Sequence, residues 1–332
     1  MSATFVNTLW QGIVILLGGT VLGLVYKGLD RKLAAQMQGR IGPPLRQPFF
    51  DIAKLMVKEN VVPDHAVGWL YNVMPILSLV AVATLLFYVP LGGFNVPLLS
   101  GYGDLILVIY LLAVPSLAMM VGGFAAGSPF ATVGAQREMV MMMAYEFPLA
   151  ITFVSLAWRM STIVPGGQSF SLAVIAANPL WGQVGPLGIV GLLLLLGALL
   201  IVTPAELAKI PFDIPEAETE IAGGLLAEYS GRNLAMFYLA DAIKMVVMGS
   251  LTVALFFPYG LADVFGVAGA WGSVIDVVFY LIKVFVVIFV AVITVRVGFA
   301  RLKIAQATRL FWLPVTGVSL LGLLLLTLDR FL

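Results

Sequence analysis

The sequence predicts an all-α integral membrane protein with about eight transmembrane helices, and three observations carry that prediction. Of 332 residues, 61% are hydrophobic and only 11% charged, against about 25% charged in soluble domains. Eight apolar runs approach the ~20 residues needed to cross a bilayer. The basic residues also fall on alternate connections, as membrane insertion requires.

The runs lie at Phe5–Tyr26, Trp69–Leu91, Asp104–Phe124, Met139–Trp158, Pro186–Thr203, Leu234–Phe257, Trp271–Val295 and Phe311–Leu328. Pro75, Glu146, Asp276 and Lys283 interrupt or edge the second, fourth and seventh. No small-residue cleavage site follows the first run, which leads into Lys27, Gly28, Leu29, Asp30, Arg31 and Lys32. It therefore reads as a retained helix. The whole chain, 1–332, reads as one polytopic domain with inner loops at about 27–66, 125–138, 204–233 and 296–310. No internal repeat marks an inverted-repeat transporter.

Orientation follows from the lysines and arginines. Alternate sorting places fourteen on one side: Lys27, Arg31, Lys32, Arg40, Arg46, Lys54, Lys58, Arg137, Lys209, Arg232, Arg296, Arg301, Lys303 and Arg309. The other side receives only Arg159 and Arg330, while Lys244 and Lys283 fall inside spans. Basic loops stay in the cytoplasm, so both termini are expected outside. The outer connections Gly92–Gly103, Ser161–Gly185 and Pro258–Ala270 are rich in Gly and Pro. Docking and chemistry are expected on the inner side.

Composition also excludes functions. There is no Cys, and His65 is the single His. A disulfide, a Cys-ligated iron–sulfur cluster, a thiolate zinc site or a bis-His haem cannot be built from this set. No metal ligands are assigned, and any redox cofactor is expected in partner subunits. A net charge of +1 gives no field that would gather nucleic acid.

Charges that remain in apolar surroundings mark the candidate site. The first inner loop carries GRIGPP, in which two prolines fix φ and glycine supplies freedom. Beyond it, Lys54 and Lys58 share a helical face. A docking platform and a basic helix at the lipid headgroups both explain that pattern. The fourth run begins GAQREMVMMMAYEFP, so Glu138 and Glu146 lie two turns apart and can face one cavity. A carboxylate within a span costs about 2.5–3.5 kcal/mol on insertion scales, which argues against lipid exposure.

The third inner loop reads PAELAKIPFDIPEAETEIAGGLLAEYSGRN, with Glu206, Asp213, Glu216, Glu218, Glu220 and Glu228 against Lys209 and Arg232. Asp213, Glu216 and Glu220 would share one face of a helix. A solvated loop would tolerate them. The interleaved apolar residues favour an enclosed acidic cavity, where carboxylate protonation is raised and coupled. Asp241 and Lys244 share a face of the sixth run, and Asp276 and Lys283 a face of the seventh. Each is a static pair or part of an ion relay. The last inner loop holds a basic patch of Arg296, Arg301, Lys303 and Arg309.

GRIGPP, GAQRE with AYE further on, and PFDIPEAETE followed by AEYSG together resemble the H-type (ND1-type) membrane subunit of respiratory complex I and its hydrogenase relatives. The resemblance covers nearly the whole chain, in the right motif order. The quinone-reducing branch usually carries GPNRVGP and an Asn-Arg pair before its PFD. Here GPPLRQPFFDIAKL stands in the first position, and Ala208, Lys209 and Ile210 precede Pro211. With Gly127–Phe130 and the Arg137–Glu138 pair, the chain is more similar to the energy-converting, membrane-bound [NiFe]-hydrogenase branch, which includes formate hydrogenlyase and sulfane reductases.

The resemblance implies a tilted eight-helix fold, like that of the complex I H-type subunit, in a prokaryotic plasma or inner membrane. It implies [NiFe]-hydrogenase-like large and small subunits, an iron–sulfur subunit and antiporter-like membrane subunits as partners, with the [NiFe] centre and the clusters held in those partners. Electron transfer from ferredoxin would drive H⁺ or Na⁺ translocation. The coupling residues would be Glu138, Glu146, Asp213, Glu216, Glu218, Glu220, Glu228, Asp241, Lys244, Asp276 and Lys283. Arg40, Arg46, Lys54, Lys209, Arg301 and Lys303 would dock the redox arm. An H-type subunit of a quinone-reducing complex I, a stand-alone ion transporter and a purely structural anchor are the alternatives.

Overall fold

The computed structural model describes residues 2–90, 104–164, 169–267 and 269–331. The outer connection at Gly92–Gly103 lies outside these residues, as do parts of the other two outer connections. Among the described residues there are helices and no named strand, and one isolated bridge joins Asp104 to Ser171. Nine helices carry the architecture: α1 Ser2–Met37, α2 Gln47–Val57, α3 Gly68–Tyr88, α4 Leu105–Ala125, α5 Pro129–Ile163, α6 Pro186–Glu206, α7 Gly231–Phe256, α8 Trp271–Gly298 and α9 Ile304–Leu328. All but α2 are long and apolar enough to cross a membrane.

Their starts follow local chemistry. Asp104 caps α4 by accepting the Ile106 N–H at 3.0 Å. Proline opens α5 and α6 at a position whose N–H has no helical acceptor to lose. The π-turns Phe289–Thr294 in α8 and Phe311–Val315 in α9 break the regular ladder, the second around Pro314.

Two helices outrun their apolar stretches. α1 has 36 residues and α5 has 35, each a little over 50 Å at 1.5 Å per residue. A ~30 Å hydrocarbon layer accommodates that length only through tilt or a protruding end. The expected first loop at 27–66 therefore begins with three further turns of α1, and 129–138 of the second loop is helical. Charge alone suggested stops at Tyr26 and Met139. The helices continue because their charges are met within the fold: Lys27 by Asp241, Asp30 by Arg296, and Arg31 by Asp51.

α7 is the central element. In its most apolar window 89% of residues are buried, against 22% for α1. α1, α2, α3 and α8 pack around it, while α4, α5, α6 and α9 form the adjoining layer. Tyr145, Phe153, Phe256 and Phe311 are among the fully buried side chains. At Gly23 the α1 backbone lies against the Ala242 carbonyl of α7, with no room for a Cβ. That approach sets Lys27, one turn further on, beside Asp241.

Candidate functional site

Five helices and the third inner loop enclose a cavity of about 50 Å³, room for a few water molecules. Its walls include Ser116 of α4, Glu138 of α5, Glu206 of α6, Asp241 and Lys244 of α7, and Lys209 and Glu216 of the loop. Proline, glycine and backbone geometry bring the loop residues there. Ala208 takes φ +46°, a conformation costly for a residue with a Cβ. The Lys209 N–H then closes on the Pro204 carbonyl at 2.9 Å. After Pro215, the chain forms only the single turn Glu218–Ile221, stopped by positive φ at Ala222 and Gly223.

At the inner end of the cavity Asp241 carries two cations. Lys209 Nζ lies 2.8 and 3.0 Å from its two oxygens, and Lys27 Nζ lies 2.7 Å from Oδ2. Burial alone would lower the Lys209 ammonium's pKa, but the Asp241 carboxylate outweighs it and raises it. Glu216 is half-buried in the same wall. Burial pushes its carboxyl up to about 7 even though Lys209 pulls it down.

The deeper end is acid-rich. Lys244 Nζ sits 2.7 Å from Glu206 Oε1, with side-chain exposures of 7% and 1%. Glu206 Oε2 has no hydrogen-bond partner. Lys244 also donates to Ser116 Oγ at 3.3 Å, which lies 3.1 Å from the Tyr145 hydroxyl. Tyr145 in turn donates to Glu138 Oε1 at 3.4 Å. Buried Glu138 and Glu206 thus share one ammonium group through a short polar chain. Glu146, half-buried on α5, leaves Oε1 buried without a hydrogen-bond partner. It is not part of the cavity wall.

Aromatic packing links the loop to this chain. Phe212 contacts Phe311 on the α9 π-turn with ring centres 5.0 Å apart, and Phe311 meets Tyr145 edge-on at 6.3 Å. The AEYSG segment is a tie. Tyr229 stacks on Tyr71 at 4.2 Å, and Ser230 accepts the Val61 N–H at 2.9 Å.

Several expected groupings take other partners. Asp213, Glu216 and Glu220 do not share a helical face, because Pro215 and the extended Ala217 break the helix between them. Asp213 pairs with Arg301, Glu220 with Arg137, and Glu216 alone of the three faces the cavity. Glu218 and Glu220 are exposed. Glu228 is half-buried, with its carbonyl accepting from Tyr71 at 2.6 Å. Asp241 and Lys244 do not pair with each other but serve the two ends of the cavity.

Asp276 and Lys283 are not paired either. Asp276 accepts the Leu261 and Ala262 N–H groups at 2.7 and 2.9 Å, and Lys283 donates to the Phe257 and Tyr259 carbonyls. Free backbone groups of the outer connection are their nearer partners, and the pair anchors that connection. Of the docking set, Arg40, Arg46, Lys54 and Lys303 are exposed. Arg301 is half-buried against Asp213, and Lys209 points inward because of the turn at Ala208.

Lys27, Ser116 and Tyr145 were missing from the expected site, and Glu206, counted among the acids of the third inner loop, was not placed in the coupling set. Glu206 carried a readable signal: it is an acid closing an apolar run. Lys27 looked like a topological charge, and Ser116 and Tyr145 gave no signal. Among the described residues no group of three His, Cys, Asp or Glu side chains is placed to hold a metal ion.

Comparison with known proteins identifies the arrangement. Residues 10–327 match the NADH dehydrogenase family. The chain is 34% identical over 288 residues to hydrogenase-4 component C of Escherichia coli, covering 87% of this chain and 86% of that one. It is 31% identical over 328 residues to the H subunit of the NADH-quinone oxidoreductase of Brevibacillus brevis, covering 96% and 93%. It also resembles a solved chain of the membrane-bound sulfane sulfur reductase, an archaeal respiratory membrane complex. There the TM-score is 0.84 at 29% identity, over 96% of this chain and 99% of that one.

Proposed function

The chain belongs to the NADH dehydrogenase family, as a membrane subunit of a hydrogenase-like or complex I-like oxidoreductase complex, and we propose that it is the anchor and coupling subunit of a ferredoxin-linked, energy-converting hydrogenase. The observation that carries this reading is the cavity, which joins a loop on the basic side to buried, incompletely paired carboxylates. Charge change on a redox arm docked at the Arg40, Arg46 and Lys54 face would act first on the loop of Asp213 and Glu216. Phe212 and Phe311 carry a loop shift to Tyr145, and Glu216 opens onto the same cavity as Glu138 and Glu206. Antiporter-like neighbours would move H⁺ or Na⁺ in response.

The hydrogenase branch is supported by the similarity to hydrogenase-4 component C and the motif departures around Gly42 and Lys209. The cavity volume adds to this, being well below the ~150 Å³ that holds a benzene ring. The residues of this chain do not fit an iron–sulfur or nickel site, so those groups belong to the proposed partners. The relatives named as parts of larger assemblies argue against a stand-alone transporter.

Purification of the intact complex with a tagged chain tests the assignment. The expected companions are a hydrophilic subunit with two CxxC pairs, nickel and iron–sulfur clusters. Flavin-bearing companions and quinone reduction would replace the hydrogenase assignment with the quinone branch. Orientation is tested with single cysteines at Gln38 and Ser169 and an impermeant thiol reagent on intact cells. Labelling at Ser169 alone is expected, and labelling at Gln38 alone would reverse the topology.

A further inference from the structure

Asp241 holds two ammonium groups where one would neutralise it. The two lysines are held differently. Lys27 belongs to α1, next to the tight α1–α7 contact at Gly23, and also donates to the Tyr238 carbonyl at 3.4 Å. Lys209 stands on the connection after α6, behind the strained Ala208. If Lys209 leaves, a neutral Lys27–Asp241 pair remains, so its departure strands no buried charge.

A second acceptor is at hand. Glu216 lines the same cavity and has no ion-pair partner among the described residues. It is faced by Lys209 from the loop, Asp241 and Tyr238 from α7, Glu138 from α5 and Lys27 from α1. Asp30 adds to the field at Lys209, and Glu206 and Lys244 complete the wall. With Glu216 ionised, Lys27 and Lys209 balance Asp241 and Glu216. With Glu216 protonated, one positive charge is in excess.

We propose that Lys209 is a positioning residue, a loop-borne counter-ion that moves between Asp241 and Glu216 as Glu216 loses and gains its proton. The inference rests on the coupling role given to this cavity above. It adds a physical link: each proton on or off Glu216 relocates a side chain of the loop beneath the redox arm. The turn at Ala208 sets Lys209 in the cavity wall that Asp241 and Glu216 also line, and Lys27 keeps Asp241 compensated in either position.

Difference infrared spectroscopy of the intact complex in liposomes tests this through the Glu216 carboxyl band, assigned by its loss in Glu216→Gln. The wild-type band is expected to titrate near pH 7. Lys209→Gln removes the exchanging charge and should move the midpoint up by about one unit or more. Asp241→Asn removes the competing acid, gives Lys209 wholly to Glu216, and should move the midpoint down. Lys209→Arg keeps the charge and should stay near wild type.

Midpoints unchanged in both Lys209→Gln and Asp241→Asn overturn the exchange. An Arg variant shifted as far as the Gln variant also overturns it, because charge would then not be what the residue supplies. The coupling role fails separately: full ion pumping by Glu216→Gln would remove Glu216 from coupling while leaving the opposed shifts as evidence for the exchange.

Discussion

Two sets of charges, outer and inner by the orientation the basic residues predict, obey different rules. On the outer side Asp329 and Asp276 are held by three and two donors. Asp329 takes the Arg159 guanidinium at 3.0 Å and the Gly185 and Gly188 N–H groups at 3.0 and 2.9 Å. Asp276 takes two backbone N–H groups. On the inner side Glu138 and Glu206 share Lys244, while Glu206 and Glu146 each keep a buried oxygen without a hydrogen-bond partner. Fully paired charge in a membrane protein fixes structure. Carboxylates with an oxygen left without a partner are the ones placed to exchange protons.

The largest effect should separate the two regions. Asp329→Ala leaves Arg159 buried and unpaired and strips two backbone donors of their acceptor. About 3–5 kcal/mol of stability should be lost, read by denaturant unfolding in detergent. Whatever complex still assembles should keep its ratio of ions moved to electrons transferred. A reduced ratio in that complex would erase the distinction between outer and inner charges.

The next effect lies on the inner side. Glu146→Gln keeps shape and removes charge, and the neutral side chain is easier to bury. Assembly should survive while pumping falls by about a hundredfold or more, the lower bound for losing one proton-transferring group. Normal pumping would make Glu146 a structural residue.

The eight spans were legible in the sequence because bilayer thickness imposes a run length that few other constraints imitate. Glu138 and Glu146 were legible for the same reason, as acids where hydrocarbon is expected. Pairing was not. Asp276 and Lys283 share a face by spacing, yet unmet backbone groups of the preceding connection took both. Asp213, Glu216 and Glu220 fit a helical period, but Pro215 and the extended Ala217 sent them to three places. Lys209 read as a surface cation, since hydropathy does not reveal which way a loop residue points. Lys27 fell in the same class, its true partner being 214 residues away.

A smaller effect concerns pH. The Glu216 carboxyl is raised by burial to about 7, against about 4.3 in an unfolded chain. Its contribution is therefore full below about pH 4 and is lost as pH rises through 7. Glu216→Gln should remove that dependence, so wild type loses about 1–2 kcal/mol relative to the variant between pH 5 and 8, after screening. Parallel stability curves would show that Glu216 is solvated like a surface acid.

The smallest effect is at α2. Burial would raise the Asp51 carboxyl, but hydrogen bonds from Arg31 and Gln47 outweigh it and hold it below its ordinary value. Its stabilisation is present above about pH 4 and fades as pH falls below the lowered value. The Arg31–Asp51 pair is 34% exposed on each side, so Asp51→Asn should cost under about 1 kcal/mol at neutral pH. A larger loss in unfolding experiments would place this surface pair with the buried outer ones.

The most direct test of the central claim is the ratio of ions translocated to electrons transferred in proteoliposomes carrying Glu138→Gln. Glu138 is 6% exposed, lines the cavity and accepts from Tyr145, while the redox groups are assigned to other subunits. Electron transfer in detergent should persist and the ratio should collapse. A wild-type ratio would contradict the account and leave the inner carboxylates as part of a static anchor.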